Sequence, residues 1–248
     1  MAELWKKRIN GTLYEVRGAG ASRRLYENGV FHSQYNPRNP VTGGVWDLLM
    51  LPAFFYPPDT IKRVLVLGVG GGAVIRQLQY FIGPEHLIGV DLNAVHLALA
   101  KRFFGIRGRN ISLHEDNALH WLRRYRGKGF DLIIDDVFAE QEGEPVRAIN
   151  ANAVWAGLLL RNLNAGGALA VNFISPRELR DSAFVSNQRV RNRLKTCLQL
   201  TAPLDENAVG VFMRKHCKPG DLRRRLSGVR FLDPALKSNK LRYRARSV

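Results

Sequence analysis

A glycine-rich turn directly follows a short buried-strand pattern in the first third of the chain. Residues 63–68 read Arg-Val-Leu-Val-Leu-Gly, and residues 68–73 read Gly-Val-Gly-Gly-Gly-Ala. A continuous β-branched and leucine run predicts a strand that is buried on both faces, as in a parallel sheet. Glycines after such a strand permit a tight turn and let a ligand approach the N-terminus of the next helix. The turn therefore favours folds in which a parallel sheet presents binding loops at one edge.

Strand and helix patterns alternate from this turn onward, which predicts a mostly parallel sheet with helices on both faces. Two later apolar runs, joined by residues 203–207, predict an antiparallel pair at one end of the sheet. The predicted strands are 63–68, 86–91, 111–114, 130–135, 168–173, 197–202 and 209–213, and the predicted helices are 73–81, 94–104, 118–124 and 151–164, the last of them ended by a left-handed glycine at 166–167.

The first 60 residues show a different pattern. Residues 12–17 and 24–31 are short alternating runs, and Asn28-Gly29 within the second is a strong hairpin signal. A helix is predicted from about 45 to 55, ended by Pro57-Pro58. The predicted organisation is an N-terminal β prelude with a helix (1–60), a cofactor-binding domain (61–213) and a basic C-terminal extension (214–248).

Positive charge is concentrated in that extension. The chain has 38 Lys+Arg against 21 Asp+Glu, a net charge of +17, and residues 214–248 alone carry 12 basic and 2 acidic residues. Such a surplus favours an anionic partner. The extension is therefore either a solvated terminus or a docking surface for RNA, bound with strong salt dependence.

Composition and apolar segments narrow the class of protein further. The composition, 46% hydrophobic and 24% charged, is that of a globular chain. Cys197 and Cys217 are too few for a disulfide framework. No apolar run follows the charged residues near the N-terminus, and the longest apolar stretch, 45–56, contains Asp47 and Pro52. We expect a cytoplasmic protein without membrane attachment.

Acidic side chains follow two of the predicted strands. Asp91 ends the second strand, and a carboxylate there can accept hydrogen bonds from ribose hydroxyls. Asp116, with Asn117 beside it, follows the third strand, where it can face the amino group of adenine. The alternatives are a purely structural glycine turn and, for Asp116, a helix N-cap. Together the glycine turn, Asp91 and Asp116 predict an adenosine-type nucleotide site. S-adenosylmethionine is favoured over NAD because an acid after the third strand suits adenine capture and the antiparallel terminal pair suits a methyltransferase sheet, whereas many dehydrogenases carry a second substrate domain.

Several of these segments resemble the spermidine synthase family of class I transferases. The resemblance rests on residues 63–72, 89–91, 114–118 and 130–136, and on the hairpin 28–34. It implies a Rossmann-like class I methyltransferase sheet, S-adenosylmethionine or its decarboxylated form as cofactor, and a homodimer. The cofactor-binding residues that it and the strand-end pattern imply are Gln34 near the methionine moiety, Gly68, Gly70, Gly72, Asp91, Asp116 and Asn117.

The acceptor side of the site departs from the family pattern. Asp136 matches the first Asp of the family's Asp-Ser-Ser-Asp signature and is the candidate catalytic residue, because a carboxylate can position or deprotonate an amine. The second Asp of the signature falls on Ala139, and the family's catalytic Tyr falls on Val45. Further acidic residues, Glu140, Glu142 and Glu144, follow in the same segment. The candidate substrate-binding residues are Trp46, Asp47, Asp135 and Phe138.

These departures leave the transferred group open. Methyl transfer to a small amine is the main hypothesis, and aminopropyl transfer is the alternative. Two further hypotheses are an RNA methyltransferase with a basic docking tail, and a non-catalytic relative that binds cofactor or polyamine. No metal is expected, because His32, His114 and His120 show no paired ligand spacing.

Overall fold

The computed structural model describes residues 2–141, 144–203 and 205–248. It has an α/β architecture in which a four-stranded antiparallel sheet precedes an eight-stranded sheet. A separate two-stranded hairpin lies between the fourth and fifth parallel strands in sequence. The described residues contain no helix that is long and apolar enough to span a membrane.

The N-terminal sheet is a simple antiparallel meander. Its hairpin turns at Asn10-Gly11 and Asn28-Gly29 have positive φ at both central residues (49° and 84°, 47° and 86°), as type I′ turns require. The predicted hairpin at Asn28-Gly29 is thus confirmed, and the same signal at Asn10-Gly11 marks a first strand that was not predicted. The strands are β1 (Ala2–Ile9), β2 (Thr12–Ala19), β3 (Ser22–Glu27) and β4 (Val30–Tyr35).

The eight-stranded sheet has the order β14-β12-β13-β11-β8-β5-β6-β7. The five strands from β11 to β7 are parallel, and β13 pairs antiparallel with both β11 and β12. The predicted mostly parallel sheet and its antiparallel terminal pair are confirmed. The strands are β5 (Arg63–Leu67), β6 (His86–Asp91), β7 (Ile111–Glu115), β8 (Phe130–Asp135), β11 (Leu163–Phe173), β12 (Thr196–Thr201), β13 (Ala208–Met213) and β14 (Arg244–Ser247), and the separate hairpin is β9 (Phe138–Gln141) and β10 (Glu144–Arg147).

Alternate residues of β5 face two hydrophobic cores, one on each side of the sheet. Val64 and Val66 belong to one core, and Leu65 and Leu67 belong to the other. All four are fully buried, which explains why the strand is continuously apolar. The helices are α1 (Val45–Met50), α2 (Ala73–Phe81), α3 (Ala94–Phe103), α4 (Ala118–Arg124), α5 (Ala153–Asn162), α6 (Pro176–Asp181), α7 (Ala183–Ser186), α8 (Gln188–Arg191), α9 (Pro219–Leu226) and α10 (Leu232–Lys237), and a 3₁₀ helix (Leu51–Phe55) follows α1.

Helix α5 does not end at a glycine cap, as the sequence predicted. It ends at Asn162, and Leu163 is already extended, with φ −90° and ψ 132°. Leu163 is buried and pairs with Phe130 of β8, so the strand begins five residues before its predicted start. The glycines at 166 and 167 lie within β11.

The basic extension is folded into the same core as the central sheet. Leu222 and Leu226, four residues apart on α9, are fully buried, whereas the three arginines at 223–225 are exposed. Strand β14 pairs with β12 and completes the sheet edge. The alternative of a solvated terminus is therefore wrong. RNA binding by the exposed arginines and the division at residue 213 both stay predictions.

Candidate active site at the carboxyl edge of the sheet

Backbone hydrogen bonds join the ends of four parallel strands at one edge of the sheet. The Gly68 amide donates to Val90 O (2.9 Å), and the Asp116 amide donates to Asp91 O (3.0 Å). The Asp136 amide donates to the carbonyl of the last residue of β5 (2.8 Å). Gly68, Asp91, Asp116 and Asp136 therefore lie together, as their positions at successive strand ends predicted.

The glycine turn is closely enclosed by the chain itself. Gly68 and Gly72 have φ of 81° and 82°, a region that L side chains rarely adopt. A Cβ at Gly68 would lie 2.0 Å from Asp136 O, and one at Gly72 would lie 2.6 Å from Ile106 Cγ1. Gly70, with φ of 53°, approaches the backbone of β4, because a Cβ there would lie 3.0 Å from His32 O. The glycines thus allow β4, β5 and β8 to converge at the site.

The carboxylate of Asp91 holds this turn in place. Its Oδ2 accepts hydrogen bonds from the amides of Val69 (2.8 Å) and Gly70 (2.9 Å), and its Oδ1 accepts one from the amide of Asn93 (2.8 Å). A carboxylate offers about four acceptor positions. One position on Oδ1 therefore remains for a ribose hydroxyl, and the proposed ribose contact stays a prediction.

Asp116 and Asn117 have different roles at the start of α4. Asn117 is the N-cap, since its side chain accepts hydrogen bonds from the amides of Leu119 (2.9 Å) and His120 (3.3 Å). The N-cap alternative for Asp116 is therefore wrong, and the Asn117 amide oxygen is used by the helix rather than being free for cofactor. Asp116 pairs through Oδ2 with Arg124. Its contact with adenine stays a prediction.

Asp136 is a half-buried carboxylate at the mouth of β8. Asn172 Nδ2 of β11 donates a 2.7 Å hydrogen bond to its Oδ1. Burial raises the pKa of Asp136 to about 6; the hydrogen bond from Asn172 opposes this rise, and the charge of Asp135 adds to it. The group is thus mostly ionised at neutral pH but is a stronger base than an ordinary aspartate. These properties suit the role of accepting a proton from a substrate.

Asp135 does not face the site, which corrects the expectation that it binds substrate. Its side chain is fully buried, and Oδ2 accepts hydrogen bonds from Arg147 (2.8 Å) and from Trp155 Nε1 (2.7 Å). Arg147 also donates to the carbonyl of Asn172. The pair therefore anchors hairpin β9–β10 to the sheet, directly behind Asp136.

Asp47 is likewise structural. It is 1% exposed and accepts hydrogen bonds from the Thr42 amide (2.9 Å), the Thr42 hydroxyl (2.8 Å), the Gly43 amide (2.7 Å) and Gln77. Burial raises the pKa of Asp47, although each of these hydrogen bonds lowers it. The carboxylate closes the turn before α1 and ties it to α2, so it is not available to substrate. Trp46, next to it, is half-buried against Phe31, with ring centroids 5.2 Å apart.

Ser33, rather than Gln34, reaches the glycine turn from β4. Adjacent residues of a strand point to opposite faces. Ser33 Oγ accepts from the Ala73 amide at the start of α2 (3.2 Å), whereas Gln34 contacts Arg24 (3.1 Å) and Thr42 O (3.4 Å). The placement of Gln34 near the methionine moiety stays a prediction. Ser33 was not predicted because a serine in a short strand carries no distinctive signal.

The acidic segment after β8 contains strands β9 and β10, which pair with each other. Phe138 is half-buried, 6.0 Å from the Arg147 guanidinium, and its contact with adenine or acceptor stays a prediction. Ala139, at the place of the family's second Asp, is exposed and pairs with Val146. Glu142 and the side chain of Glu144 lie outside the described residues.

Three further polar side chains meet beside the site. Glu27 ends β3, His32 lies on β4 and His96 lies on α3. Glu27 Oε2 is 2.9 Å from His96 Nε2 and 3.8 Å from His32 Nε2, and His96 Nδ1 is 4.0 Å from Asp91 Oδ1. No sequence signal predicts this group, because a hairpin turn separates Glu27 from His32, and α1 and the β5–α2–β6 crossover separate His32 from His96.

No protein-family model matches the chain. Among curated proteins, polyamine aminopropyltransferase 2 of Caldanaerobacter subterraneus subsp. tengcongensis is 32% identical over 107 residues, which are 42% of this chain and 35% of that protein. The chain thus aligns with about a third of the length of this relative.

Solved structures share the fold of this chain at low sequence identity. A probable spermidine synthase from Corynebacterium glutamicum superposes with a TM-score of 0.75 at 15% identity, over 100% of this chain and 91% of that one. A spermidine synthase in complex with the transition state analogue AdoDATO gives 0.67 at 12% identity, over 92% and 78%. These structures establish the fold as that of spermidine synthase, of the class I methyltransferase type.

Proposed function

We propose that this chain, a relative of the spermidine synthase family, transfers an aminopropyl group from decarboxylated S-adenosylmethionine to an amine of the polyamine class. The sequence match to a polyamine aminopropyltransferase supports this donor and acceptor more than it supports the methyl transfer that was the main hypothesis. The observation that carries the proposal is the position of Asp136 beside the glycine turn, with its pKa raised to about 6.

The edge of the sheet suits an adenosine group. Two large apolar side chains at strand ends remain exposed there, Leu92 after β6 (71%) and Ile174 after β11 (41%). Exposed apolar side chains among carboxylates fit a ligand that has both an aromatic ring and hydroxyl groups. Asp91 and Asp116 would hold the ribose and the adenine amino group, respectively. The residues present therefore fit the nucleoside part of the cofactor.

The bound cofactor would supply a sulfonium-activated carbon, and the chain would prepare the attacking amine. An amine attacks only through its free lone pair, so a proton must leave it. Asp136 accepts that proton at Oδ2, because Oδ1 is held by Asn172. The same negative charge attracts a cationic amine into the site. The carbonyl of Asp136, packed on Gly68, fixes this carboxylate relative to the turn.

Methyl transfer remains a second candidate because of the residue at position 139. A polyamine carries a cationic group beyond the reacting amine, and a carboxylate is a strong hydrogen-bonding partner for such a group. Ala139 offers none, which favours a smaller acceptor and a smaller transferred group.

Reactions with the two donors distinguish the candidates. The full chain is incubated with diamines and triamines plus either decarboxylated S-adenosylmethionine or S-adenosylmethionine, and products are identified by mass spectrometry. An aminopropylated amine formed only with the decarboxylated donor supports the proposal. A methylated amine formed only with S-adenosylmethionine supports the second candidate and overturns the first. Binding of methylthioadenosine without any product would support a non-catalytic relative.

A further inference from the structure

The side chains of Glu27, His32 and His96 converge from three separate elements onto one small volume. One oxygen or nitrogen atom from each, Glu27 Oε2 and a ring nitrogen of each histidine, lies within 4.8 Å of the other two. His96 is 6% exposed, and the other two side chains are 21% and 24% exposed. The cluster is therefore covered by the N-terminal sheet on one side and by α3 on the other.

The Nε2 atoms of His32 and His96 both face the same carboxylate oxygen, Glu27 Oε2. Within the described residues, both Nε2 atoms are shielded from solvent; His32 Nε2 has no hydrogen-bond partner, and His96 Nε2 lies 2.9 Å from Glu27 Oε2 in a poor geometry for a hydrogen bond. Buried polar atoms are normally satisfied, and one carboxylate oxygen at 2.9 Å and 3.8 Å does not satisfy both nitrogens, which favours an additional partner between them. This partner must bind two imidazole nitrogens and one carboxylate oxygen at the same time.

We propose that Glu27, His32 and His96 bind one divalent transition-metal ion, for which Zn²⁺ is the natural probe. Imidazole nitrogen and carboxylate oxygen are common Zn²⁺ ligands, whereas Mg²⁺ and Ca²⁺ prefer oxygen alone. Bonds of about 2.0–2.1 Å in a tetrahedron place ligand atoms roughly 3.3 Å apart. The 2.9 Å and 3.8 Å separations lie on either side of that value, and the three ligand atoms all lie within 4.8 Å of one another, so side-chain rotation can bring them to bonding distance of one ion.

The surroundings also resemble those of a metal centre. His96 Nδ1 faces Asp91 Oδ1 at 4.0 Å, and Asn93 Nδ2 lies 3.4 Å from Glu27 Oε2. Asn93 in turn donates to the hydroxyl of Tyr14 (2.9 Å), which is buried in the N-terminal sheet.

A metal at this place would link the N-terminal sheet to the cofactor domain. Glu27 and His32 belong to β3 and β4, and His96 belongs to α3, which begins beside Asp91. Three protein ligands leave a fourth position open for water or a ligand group. The sequence predicted no metal from the spacing of the histidines; that prediction is untested, and the three-dimensional cluster points the other way.

The test uses the full chain, stripped with a chelator and then loaded with ZnCl₂ alone. After gel filtration, metal content is measured for the wild type, for His96→Gln and Glu27→Gln, and for the control His86→Gln, whose side chain is exposed outside the cluster. We expect one Zn²⁺ per chain and a higher melting temperature for the wild type and the control. Removing a residue that only supports a metal ligand typically costs about 10- to 100-fold in metal affinity. Each of the two cluster variants should therefore bind Zn²⁺ at least about tenfold more weakly than the wild type.

X-ray absorption on the zinc-loaded wild type keeps the proposal testable if the variants do not fold. Two imidazole nitrogens and an oxygen at about 2.0–2.1 Å would support it. The proposal is overturned if the wild type retains no stoichiometric Zn²⁺, if the bound ion has no imidazole ligands, or if folded cluster variants bind as tightly as the control. None of these results depends on the proposed transferase activity.

Discussion

Asn172 on β11 donates a 2.7 Å hydrogen bond from Nδ2 to Oδ1 of Asp136 at the end of β8. The amide is itself oriented, because its Oδ1 accepts a hydrogen bond from Asn207 Nδ2 (3.0 Å). Its backbone carbonyl accepts another from Arg147. A candidate base is thus positioned by a neighbouring strand, with Oδ2 left for the substrate.

Replacing Asn172 should shift the pH dependence of activity. Its hydrogen bond stabilises the ionised carboxylate, and without it burial raises the pKa of Asp136 above the present value of about 6. In Asn172→Leu, the rise of kcat/KM with pH should therefore occur at higher pH. The control Asn192→Leu changes an exposed residue and should leave the profile unchanged. An unaltered profile in Asn172→Leu would mean that Asp136 is not the group that titrates.

Asp91→Ala should weaken nucleoside binding. The substitution removes three hydrogen bonds that hold the glycine turn and strand end, together with the proposed ribose contact. Loss of hydrogen bonds to a charged group costs about 1.5–3 kcal/mol, or about 10- to 150-fold in affinity. Calorimetry with methylthioadenosine measures the effect, with the exposed Asp181→Ala as control. Full affinity in Asp91→Ala would remove Asp91 from the site.

Arg147→Met should destabilise the fold strongly. The substitution leaves the carboxylate of Asp135 buried without its cation, which costs about 3–5 kcal/mol. The double variant Asp135→Asn, Arg147→Met should recover much of that loss, because no buried charge then remains. Urea unfolding monitored by circular dichroism provides the free energies. Equal stability of Arg147→Met and the double variant would contradict the prediction that an unpaired buried charge causes the loss.

Leu226→Ala tests whether the basic extension is part of the core. Leu226 is fully buried against the central cluster, so truncation should cost about 2–5 kcal/mol. Val154→Ala, at a 63% exposed position, is the matched control and should change stability little. Wild-type stability for Leu226→Ala would mean that residues 214–248 pack loosely. RNA binding is better tested by charge changes at 223–225 than by truncation, which would remove buried leucines.

The sequence predicted the parallel strands of the sheet, but it did not predict which polar side chains contact each other in the site. Burial on both faces forces β5 to be continuously apolar, so its position and the following turn are visible in the chain alone. Because both residues are aspartates, residue type alone does not show which of Asp135 and Asp136 faces the site. Alternation along β8 turns one towards the site and the other towards Arg147, whose strand was not predicted.

Contacts between distant segments were invisible for the same reason. From the sequence, Asp47 was a candidate for binding the acceptor. In the structure, its carboxylate is occupied by Gln77 and by the turn at 42–43. The cluster of Glu27, His32 and His96 exists only after the N-terminal sheet packs against α3. Periodicity reports burial along one element, and it carries no information about which polar side chains a neighbouring element presents.

Turnover by Asp136→Asn tests the central claim most directly. Asparagine keeps the size and the contact with Asn172 but cannot accept the proton from an amine. With decarboxylated S-adenosylmethionine and a diamine, kcat should fall by about 10²–10⁴-fold relative to the wild type. Affinity for methylthioadenosine should be retained, and the control Asp59→Asn, at an exposed position, should be fully active. Wild-type turnover by a folded Asp136→Asn would contradict the account.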